Sequence, residues 1–429
     1  MLSGAIRMGV LFFISTLLFI HSALSQSANP YSQYGLGDIQ STAFSSNAAM
    51  GGVSGAYISS FNINYTNPAS YAWLTRTTFD IGMNMSGGTI STRDSNYHAF
   101  NSSLDHFALV IVPYSKHNSW ALSAGLLPYS NVDYNFTQLS NDSSYNQVVS
   151  ALGELYQVYV GAAYRVKGFS IGANVGYIFG KISYQKGLAL IDSSNGFNTA
   201  NVTNFNAKGF YYNAGIMYQK MIYHNSTDPD PRTDIFAQIG FYGNSGVKLT
   251  GKVSSYWDRY YYDVSGNLIT QDTVSATLTQ KGTITMPYTL GGGVMFGNER
   301  FWMVGADFRY TDWSVFTSPL GNGPLANSWR ASAGFQITPK YDDRKFLKRV
   351  QYRAGFYYGN SQYMYQGVAM RTGAATLGIA IPMKNIAHLN LGTEIGYLGG
   401  PNVPVTENFY RVSIGFVLND LWFIKRKFD

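Results

Sequence analysis

Hydrophobic and polar residues alternate along most of this chain, from Thr75 to Leu418. Between Phe169 and Gly180 the large apolar residues share one face, and Gly, Ser and Asn occupy the other. The stretch from Tyr410 to Leu418 repeats the pattern, with Arg411, Ser413 and Gly415 on its polar face. A period of two predicts β-strands. A sandwich would turn its apolar face into a dry core, whereas a face of Gly, Asn and charged residues is typical of a barrel lumen. The pattern therefore predicts an all-β, transmembrane antiparallel barrel.

The segments between turn-forming residues predict about fourteen strands, an even number as in bacterial outer-membrane barrels. Short connectors are predicted to be periplasmic turns, and the long polar stretches 135–150, 186–206 and 250–281 are predicted to be outside loops. The predicted strands begin near Thr75, Phe100, Ser119, Leu155, Phe169, Phe210, Asp234, Thr283, Arg300, Ser328, Val350, Arg371, Ala387 and Phe409.

The residues before the alternating region have a different composition. From Gly35 to Leu74 they are rich in Gly, Ala, Ser and Asn, and Asp38 is the only charged residue. Small side chains allow backbone to pack closely in a confined space. We therefore predict that residues 26–74 form a plug, or hatch, inside a barrel of residues 75–419. Asn67 followed by Pro68 also predicts the capped start of a short helix.

The two ends of the chain carry further signals. Arg7, the apolar run Met8–Ile20 and small residues at Ala23 and Ser25 predict a signal peptide over residues 1–25. The apolar run falls short of the roughly 20 residues that a membrane helix needs. Residues 420–429 are predicted to be a basic periplasmic extension. The expected location is the bacterial outer membrane, after signal-peptide cleavage.

Composition argues against several classes of protein. Charged residues make up 12% of the chain and Cys is absent, so disulfides, zinc–thiolate clusters and thiol nucleophiles are excluded. The net charge of +7 is spread along the sequence, and we predict no nucleic-acid partner. Gly168-Phe-Ser170-Ile-Gly172 fits a nucleophile elbow, but alternation continues through Ser170 where the elbow needs a turn and a helix. His98 and His106 show no metal-ligand spacing, and we expect them to be solvated. The sequence predicts no enzyme, cofactor or metal site.

Charged residues within the strands are candidates for a lumen site. Arg165, Asp307, Arg309 and Glu394 alternate with apolar neighbours and are predicted to face the lumen. A lipid-facing Arg at the bilayer midplane would cost about 2–4 kcal/mol. Two roles remain open for these four residues, a network that ties plug to wall and a site for a ligand headgroup.

Three motifs together resemble the FadL family of outer-membrane transporters for hydrophobic compounds. They are Asn67-Pro68-Ala69, the stretch Leu127–Tyr134 and the stretch Asp307–Ser314. Their order and the whole layout of signal, plug and strands are similar to that family. Tyr129-Ser130 departs from the usual Phe-Gly, and the basic tail is extra. Such tails, together with abundant Tyr, Asn and Gly, look like outer-membrane proteins of Bacteroidota.

The resemblance implies passive uptake of hydrophobic small molecules such as long-chain fatty acids. The hatch at Asn67, Pro68 and Ala69 would be displaced, and solute would leave sideways near Gly125, Pro128 and Tyr129. Pro128 lacks a ladder donor and is expected to interrupt wall pairing, although a strand-end proline is an equal alternative. Outer-membrane lipid and an apolar ligand are the implied partners.

A second function remains open at this point, because some FadL-like proteins resemble scaffolds. In that case the chain would be a non-transporting accessory subunit of an outer-membrane export or assembly machine, with other outer-membrane or periplasmic proteins as partners. A continuous apolar tunnel would favour transport. A lumen packed with side chains would favour scaffolding.

Overall fold

The computed structural model describes most of the chain. The described ranges are 30–92, 95–113, 119–140, 144–191, 197–224, 234–262, 268–321, 323–383, 387–401 and 403–422. The predicted signal peptide, residues 1–25, and residues 423–429 of the predicted C-terminal extension lie outside the described residues. In the described ranges, no helix is long and apolar enough to span a membrane.

Short elements precede the barrel wall. A 3₁₀ turn over Pro30–Gln33 is followed by the two-residue strand β1 (Asp38–Ile39) and the single helical turn α1 (Ser45–Ala48). A 3₁₀ helix then spans Pro68–Trp73, and the Asn67 side chain caps it by accepting a hydrogen bond from the Ala69 amide. The short capped helix predicted here is confirmed, with 3₁₀ geometry because Pro68 leads a run of only six residues.

The wall is an antiparallel sheet that closes where β17 pairs with β2. Its segments are β2 (Thr77–Ser91), β3 (Asn96–Ile111), β4 (Trp120–Leu139), β5 (Tyr145–Val166), β6 (Phe169–Leu190), β7 (Asn198–Tyr223), β8 (Ile235–Asn244), β9 (Lys248–Tyr262), β10 (Leu268–Thr285), β11 (Tyr288–Asn298), β12 (Trp302–Asp312), β13 (Ser328–Ile337), β14 (Gln351–Tyr365), β15 (Val368–Met383), β16 (Ala387–Gly399) and β17 (Thr406–Asp420). The helical turn α2 (Phe346–Arg349) lies between β13 and β14.

Two barrel strands are each broken into two segments. β7 pairs with both β8 and β9, β9 pairs with β10, and β8 pairs with β11. β8 and β9 thus form one interrupted strand, and β10 and β11 form the next. The wall is a closed barrel of fourteen antiparallel strands, which confirms the predicted fold class.

The predicted outside loops are wrong for most of their length. β4 continues to Leu139 and β5 begins at Tyr145, and the stretches 186–206 and 250–281 likewise belong largely to β6, β7, β9 and β10. Ladder hydrogen bonds join backbone groups and do not require an apolar face. Beyond the bilayer both faces of a strand are wet, so the alternation that marks a membrane strand is lost.

Side-chain exposure shows which face of the wall meets lipid. Ile171 and Val175 are 52% and 43% exposed, whereas Asn174 between them is 1% exposed. A soluble protein would show the reverse order. The large apolar residues therefore face outward, and polar residues face the lumen.

The residues before the wall lie against its inner face. We call residues 36–74 the lumen segment. Its large side chains are buried, and Tyr57, Tyr65 and Tyr71 are at most 1% exposed. Tyr65 and Tyr71 pack with Leu127 and Tyr159 of the wall in one apolar cluster. Side chains of the lumen segment thus pack closely against the inner face of the wall.

Candidate functional site

Asn67, Pro68 and Ala69 contact the wall on β6 to β8. The Asn67 side-chain amide donates to Gly55 O at 2.6 Å and, more weakly, to Ile216 O and Phe241 O at 3.4 Å. Pro68 and Ala69 lie against Gly172 of β6. This predicted hatch element joins two parts of the lumen segment and touches wall backbone. Its displacement stays a prediction.

Glycines on the inner wall let the lumen segment approach the wall backbone. A Cβ at Gly355 would lie under 3.0 Å from backbone atoms of Met50 and Gly51. A Cβ at Gly215 would overlap the Asn67 side chain in the same way. At Gly355 the contact is between two backbones, which leaves no rotatable group that could relieve an added methyl group. At Gly215 the Asn67 side chain is held in place by its own hydrogen bonds to Gly55 and Ala69. The fit therefore depends on these glycines.

Asp307 lies on the inner face of β12 and binds the lumen segment. Its carboxylate accepts hydrogen bonds from Gly55 N at 2.5 Å, from Ser54 N at 3.4 Å and from Tyr242 Oη at 3.1 Å. The side chain is 7% exposed. A buried carboxylate that accepts two backbone amides fixes the position of the segment relative to β12.

Two arginines lie side by side next to this anchor. Arg309 and Arg330 are directly opposite each other on β12 and β13. Arg330 donates to Gly51 O at 3.1 Å, and its guanidinium lies 3.3 Å from the ring centroid of Tyr357. Both arginines line the lumen cavity described below. Like charges in opposite positions repel, so this pair favours a nearby anion.

Glu394 belongs to a neighbouring charged group on β14, β16 and β17. Its carboxylate accepts hydrogen bonds from Arg411 Nη1 at 2.8 Å and from Tyr357 Oη at 2.6 Å. Since Tyr357 also stacks with Arg330, Glu394 is linked to the arginine pair.

Arg165 lies apart from the other three predicted lumen residues. It stands near the end of β5, and its guanidinium is 4.6 Å from the ring centroid of Trp73 in the lumen segment. The structure therefore brings Asp307, Arg309 and Glu394 to one region and places Arg165 elsewhere, beside the 3₁₀ helix.

The lumen holds a cavity of about 430 Å³. Its lining is polar and charged over much of its extent. Residues on opposite sides include Asp38, Pro128, Arg309, Arg330, Glu394 and Arg411. The cavity is therefore not the continuous apolar tunnel that would have favoured transport.

Wall pairing is interrupted beside this cavity. The β3–β4 ladder holds five residue pairs and ends at Phe107↔Leu126, although β3 continues to Asn96 and β4 to Leu139. Phe100 on one side of the interruption, and Pro128 and Tyr129 on the other, line the cavity. We call this break between β3 and β4, beyond Phe107 and Leu126, the wall interval.

The predicted exit residues lie at or beside this interval. Pro128 pairs with Tyr156 of β5, and the next pair is Ser130 with Leu155, so Tyr129 forms a bulge. Gly125 is within the paired part, opposite Ala108. A proline followed by a bulge removes ladder donors where the strand leaves its neighbour.

The lumen segment partly covers the wall interval. Strand β1 pairs with β4 through Asp38↔Asn131 and Ile39↔Ser130. Gln40 N also donates to Tyr129 O at 3.0 Å. The segment thus substitutes for β3 along about three residues of β4.

His106 corrects one expectation from the sequence. It is fully buried, whereas His98 is exposed as expected. The two ring nitrogens of His106 lie 2.9 Å from Asp80 Oδ1 and 2.7 Å from Asp105 Oδ2. The ring stacks on Phe44 of the lumen segment, with centroids 3.5 Å apart. A register shift in β3 next to His106 turns Asp105 inward, and simple alternation could not reveal that bulge.

Sequence reasoning also missed a second anchor of the lumen segment, at Ser59 and Ser60. Glu299, in the turn after β11, accepts hydrogen bonds from Ser59 Oγ and from Ser60 N. Arg353 of β14 is buried and donates to Gln336 Oε1 and Asn390 Oδ1. Arg353 stands at an inward position by strict alternation, so the signal that marked Asp307 would have found it. Glu299 lies in a turn, where alternation gives no signal.

Solved structures share this fold. The Pseudomonas putida toluene transporter TodX aligns with a TM-score of 0.56 and 15% identity, over 90% of this chain and all of that chain. A Pseudomonas aeruginosa FadL homologue gives 0.56 and 12%, over 90% and 99%. The CymD monoaromatic hydrocarbon channel gives 0.53 and 14%, over 89% and 98%. A comparison with curated protein sequences found no match.

Fold and surface together define the class, an outer-membrane β-barrel with the FadL-like fold. The predicted FadL resemblance is thus confirmed at the level of fold, and the Bacteroidota origin stays a prediction. The sequence match is more specific. A family model described as BamG matches residues 5–429, so the chain belongs to the BamG family.

Proposed function

We propose that this protein is a channel that passes amphipathic small molecules from the lumen cavity sideways into the outer membrane. The observation that carries the proposal is the wall interval, where the β3–β4 ladder ends beside residues that line the cavity. Strand edges without a neighbour are not stable against lipid. Such a break is costly where it faces lipid, and a lateral exit would give it a function.

The cavity favours a solute with a polar head. A carboxylate could be held by Arg309 and Arg330, which occupy directly opposite positions and both line the cavity. A long-chain fatty acid has this combination of an anionic head and an apolar tail. TodX and the CymD channel share only the fold with this chain, at 14–15% identity. The hydrocarbons in their names are therefore not assigned to this protein.

Movement of the lumen segment is part of the proposal. β1 and Gln40 together bond to three consecutive residues of β4 at the wall interval, so they are the portion that must move first. Asn67, Pro68 and Ala69 are packed against wall backbone farther from the interval and would be displaced only by a larger rearrangement. Opening at β1 breaks few hydrogen bonds, each worth about 1 kcal/mol net.

A disulfide across β1 and β4 tests this route. The chain has no Cys, and Ile39 and Ser130 are direct partners, so Ile39→Cys with Ser130→Cys can be oxidised to hold β1 in place. Uptake of a fluorescent fatty acid into proteoliposomes should fall on oxidation and return on reduction.

The control pair is Leu391→Cys with Ile414→Cys, direct partners within the wall. Oxidation of this pair should leave uptake unchanged. Equal uptake by the locked and reduced Ile39/Ser130 variant would contradict lateral exit through the wall interval.

A second function is favoured by a different observation. The lumen segment is packed against wall backbone and anchored by Asp307 and Glu299, as expected of a rigid scaffold. In that case the chain would be an accessory subunit of an outer-membrane export or assembly machine. Deletion of the gene separates the two functions. Unchanged fatty-acid uptake together with failed export or assembly of surface proteins would support the scaffold and reject the channel.

A further inference from the structure

The connection between β13 and β14 is the longest at its end of the barrel. It spans residues 338–350, compared with residues 224–234 between β7 and β8 and two residues between β5 and β6. We call it the foot loop. It lies at the end where the wall begins at Thr77 and ends at Asp420. Short turns mark the periplasmic end of such barrels.

Hydrogen bonds within the foot loop hold it in one shape. Lys340 N donates to Lys348 O at 2.8 Å, and Lys345 N donates to Asp343 Oδ1 at 2.8 Å. Lys348 Nζ lies 3.3 Å from the other Asp343 oxygen. The bond from the Lys345 amide also lowers the pKa of the Asp343 carboxyl. These bonds thus give the foot loop a defined conformation.

This ordered loop exposes large apolar side chains. Leu347 is 68% exposed and Phe346 is 48% exposed. The same thirteen positions hold five basic residues and two acidic ones, a net charge of +3. The basic residues are Lys340, Arg344, Lys345, Lys348 and Arg349. Adjacent apolar and basic side chains are typical of segments that lie in a membrane interface.

A contact with the barrel wall shows where Leu347 lies. Tyr352 Oη donates to Leu347 O at 3.0 Å. Tyr352 is the first outward residue of β14, since Arg353 beside it is buried and Phe356 farther along is 61% exposed. Leu347 therefore lies on the outer side of the barrel foot, where the wall enters lipid.

We propose that the foot loop binds the anionic phospholipid surface of the periplasmic leaflet. Phe346 and Leu347 would enter the boundary between headgroups and acyl chains. Arg344, Lys345 and Lys348 would contact lipid phosphates. The foot loop lies beside lipid, and its positive charge is complementary to anionic headgroups. Both features favour lipid over a soluble protein as its partner. The inference is independent of what the lumen carries.

Site-specific fluorescence tests this placement, because the chain contains no Cys. Full-length protein carrying Leu347→Cys is labelled with an environment-sensitive dye and placed in vesicles of phosphatidylcholine with or without phosphatidylglycerol. We expect blue-shifted emission that lipids spin-labelled near the headgroup quench more strongly than lipids labelled deep in the chain. Leu320→Cys, an exposed leucine in a connection at the opposite end, should report water.

A charge variant tests the choice of lipid. Each basic residue near an anionic surface contributes a preference of about fivefold. The double change Arg344→Gln, Lys345→Gln should therefore lower the preference for spin-labelled phosphatidylglycerol over phosphatidylcholine by about 25-fold at most. Phe346→Ser should instead weaken quenching by both lipids.

Either of two results would overturn the proposal. Emission from position 347 typical of water, with no quenching by either lipid, would show that the loop stands free of the membrane and is available to a periplasmic protein. Equal quenching by both lipids that the charge variant does not change would show apolar contact without headgroup recognition. Barrel folding is checked separately in each variant by its mobility on gels before and after heating.

Discussion

The Asp307 carboxylate is the anchor whose removal has the clearest expected effect. Asp307→Ala leaves Gly55 N, and more weakly Ser54 N, without an acceptor inside the barrel. Hydrogen bonds to charged groups contribute about 1.5–3 kcal/mol each. The Ser54 contact is long at 3.4 Å and adds little. Asp307→Ala also removes the desolvation cost of a buried carboxylate, which offsets part of the lost hydrogen-bond energy. We expect the free energy of local opening around Gly55 to fall by about 2 kcal/mol.

Hydrogen exchange measures this opening directly. With the barrel in nanodiscs, exchange of the peptide 53–58 should become about 30-fold faster in Asp307→Ala, because 1.4 kcal/mol is tenfold. Asp307→Asn retains one acceptor oxygen and should show a smaller change. Asp312→Ala, on the same strand but bonded to Ser314, is the matched control and should leave this peptide unchanged. Unchanged exchange in Asp307→Ala, with the barrel folded, would refute the anchor.

Two further predictions concern packing and the buried His106. Gly355→Ala should lower the thermal midpoint of the barrel, because overpacking costs about 1–3 kcal/mol, whereas Gly400→Ala, whose new Cβ would meet only a Val403 methyl at 3.2 Å, should change it little. His106→Leu removes the donor that Asp80 and Asp105 share, although Asn84 Nδ2 still donates to Asp105, and we expect about 3–5 kcal/mol of destabilisation in a denaturant titration, with no comparable loss in His98→Leu. A thermal midpoint that does not distinguish the two glycines, or equal effects of the two histidine changes, would show that these contacts do not matter.

The wall could be read from the sequence because a membrane strand repeats one local rule. Alternate residues of β6 point to opposite faces of the wall. Those that face lipid are apolar, and those that face the lumen are small or polar, as Val175 and Asn174 show. The fourteen predicted starts therefore fall inside or at the edge of the fourteen observed strands, and the late ones miss the polar extensions. The inward orientation of Asp307 and Arg309 follows from the same rule.

The partners of those inward residues could not be read, because they lie far apart in the chain. Asp307 meets Gly55 across 252 positions, and Asp105 is turned inward beside His106 by a bulge that only the β2–β3 register reveals. The position at which β3 and β4 separate also depends on backbone pairing. The pattern of side chains carries little information about that pairing. Pro128 and Gly125 marked the neighbourhood of the wall interval but not its length.

The sequence by itself determined the barrel, its strand number, its two faces and the small-residue segment that precedes it, since all of these follow from composition and period two. Tertiary structure alone decided which wall glycines admit the lumen segment, which carboxylates hold it, and how β1 covers the interval beside Tyr129. The physical reason is that the alternation of side chains along a strand is a local property, set by neighbouring residues in the chain. Closure of a barrel instead brings together residues hundreds of positions apart, and their contacts are set by the register of every strand between them.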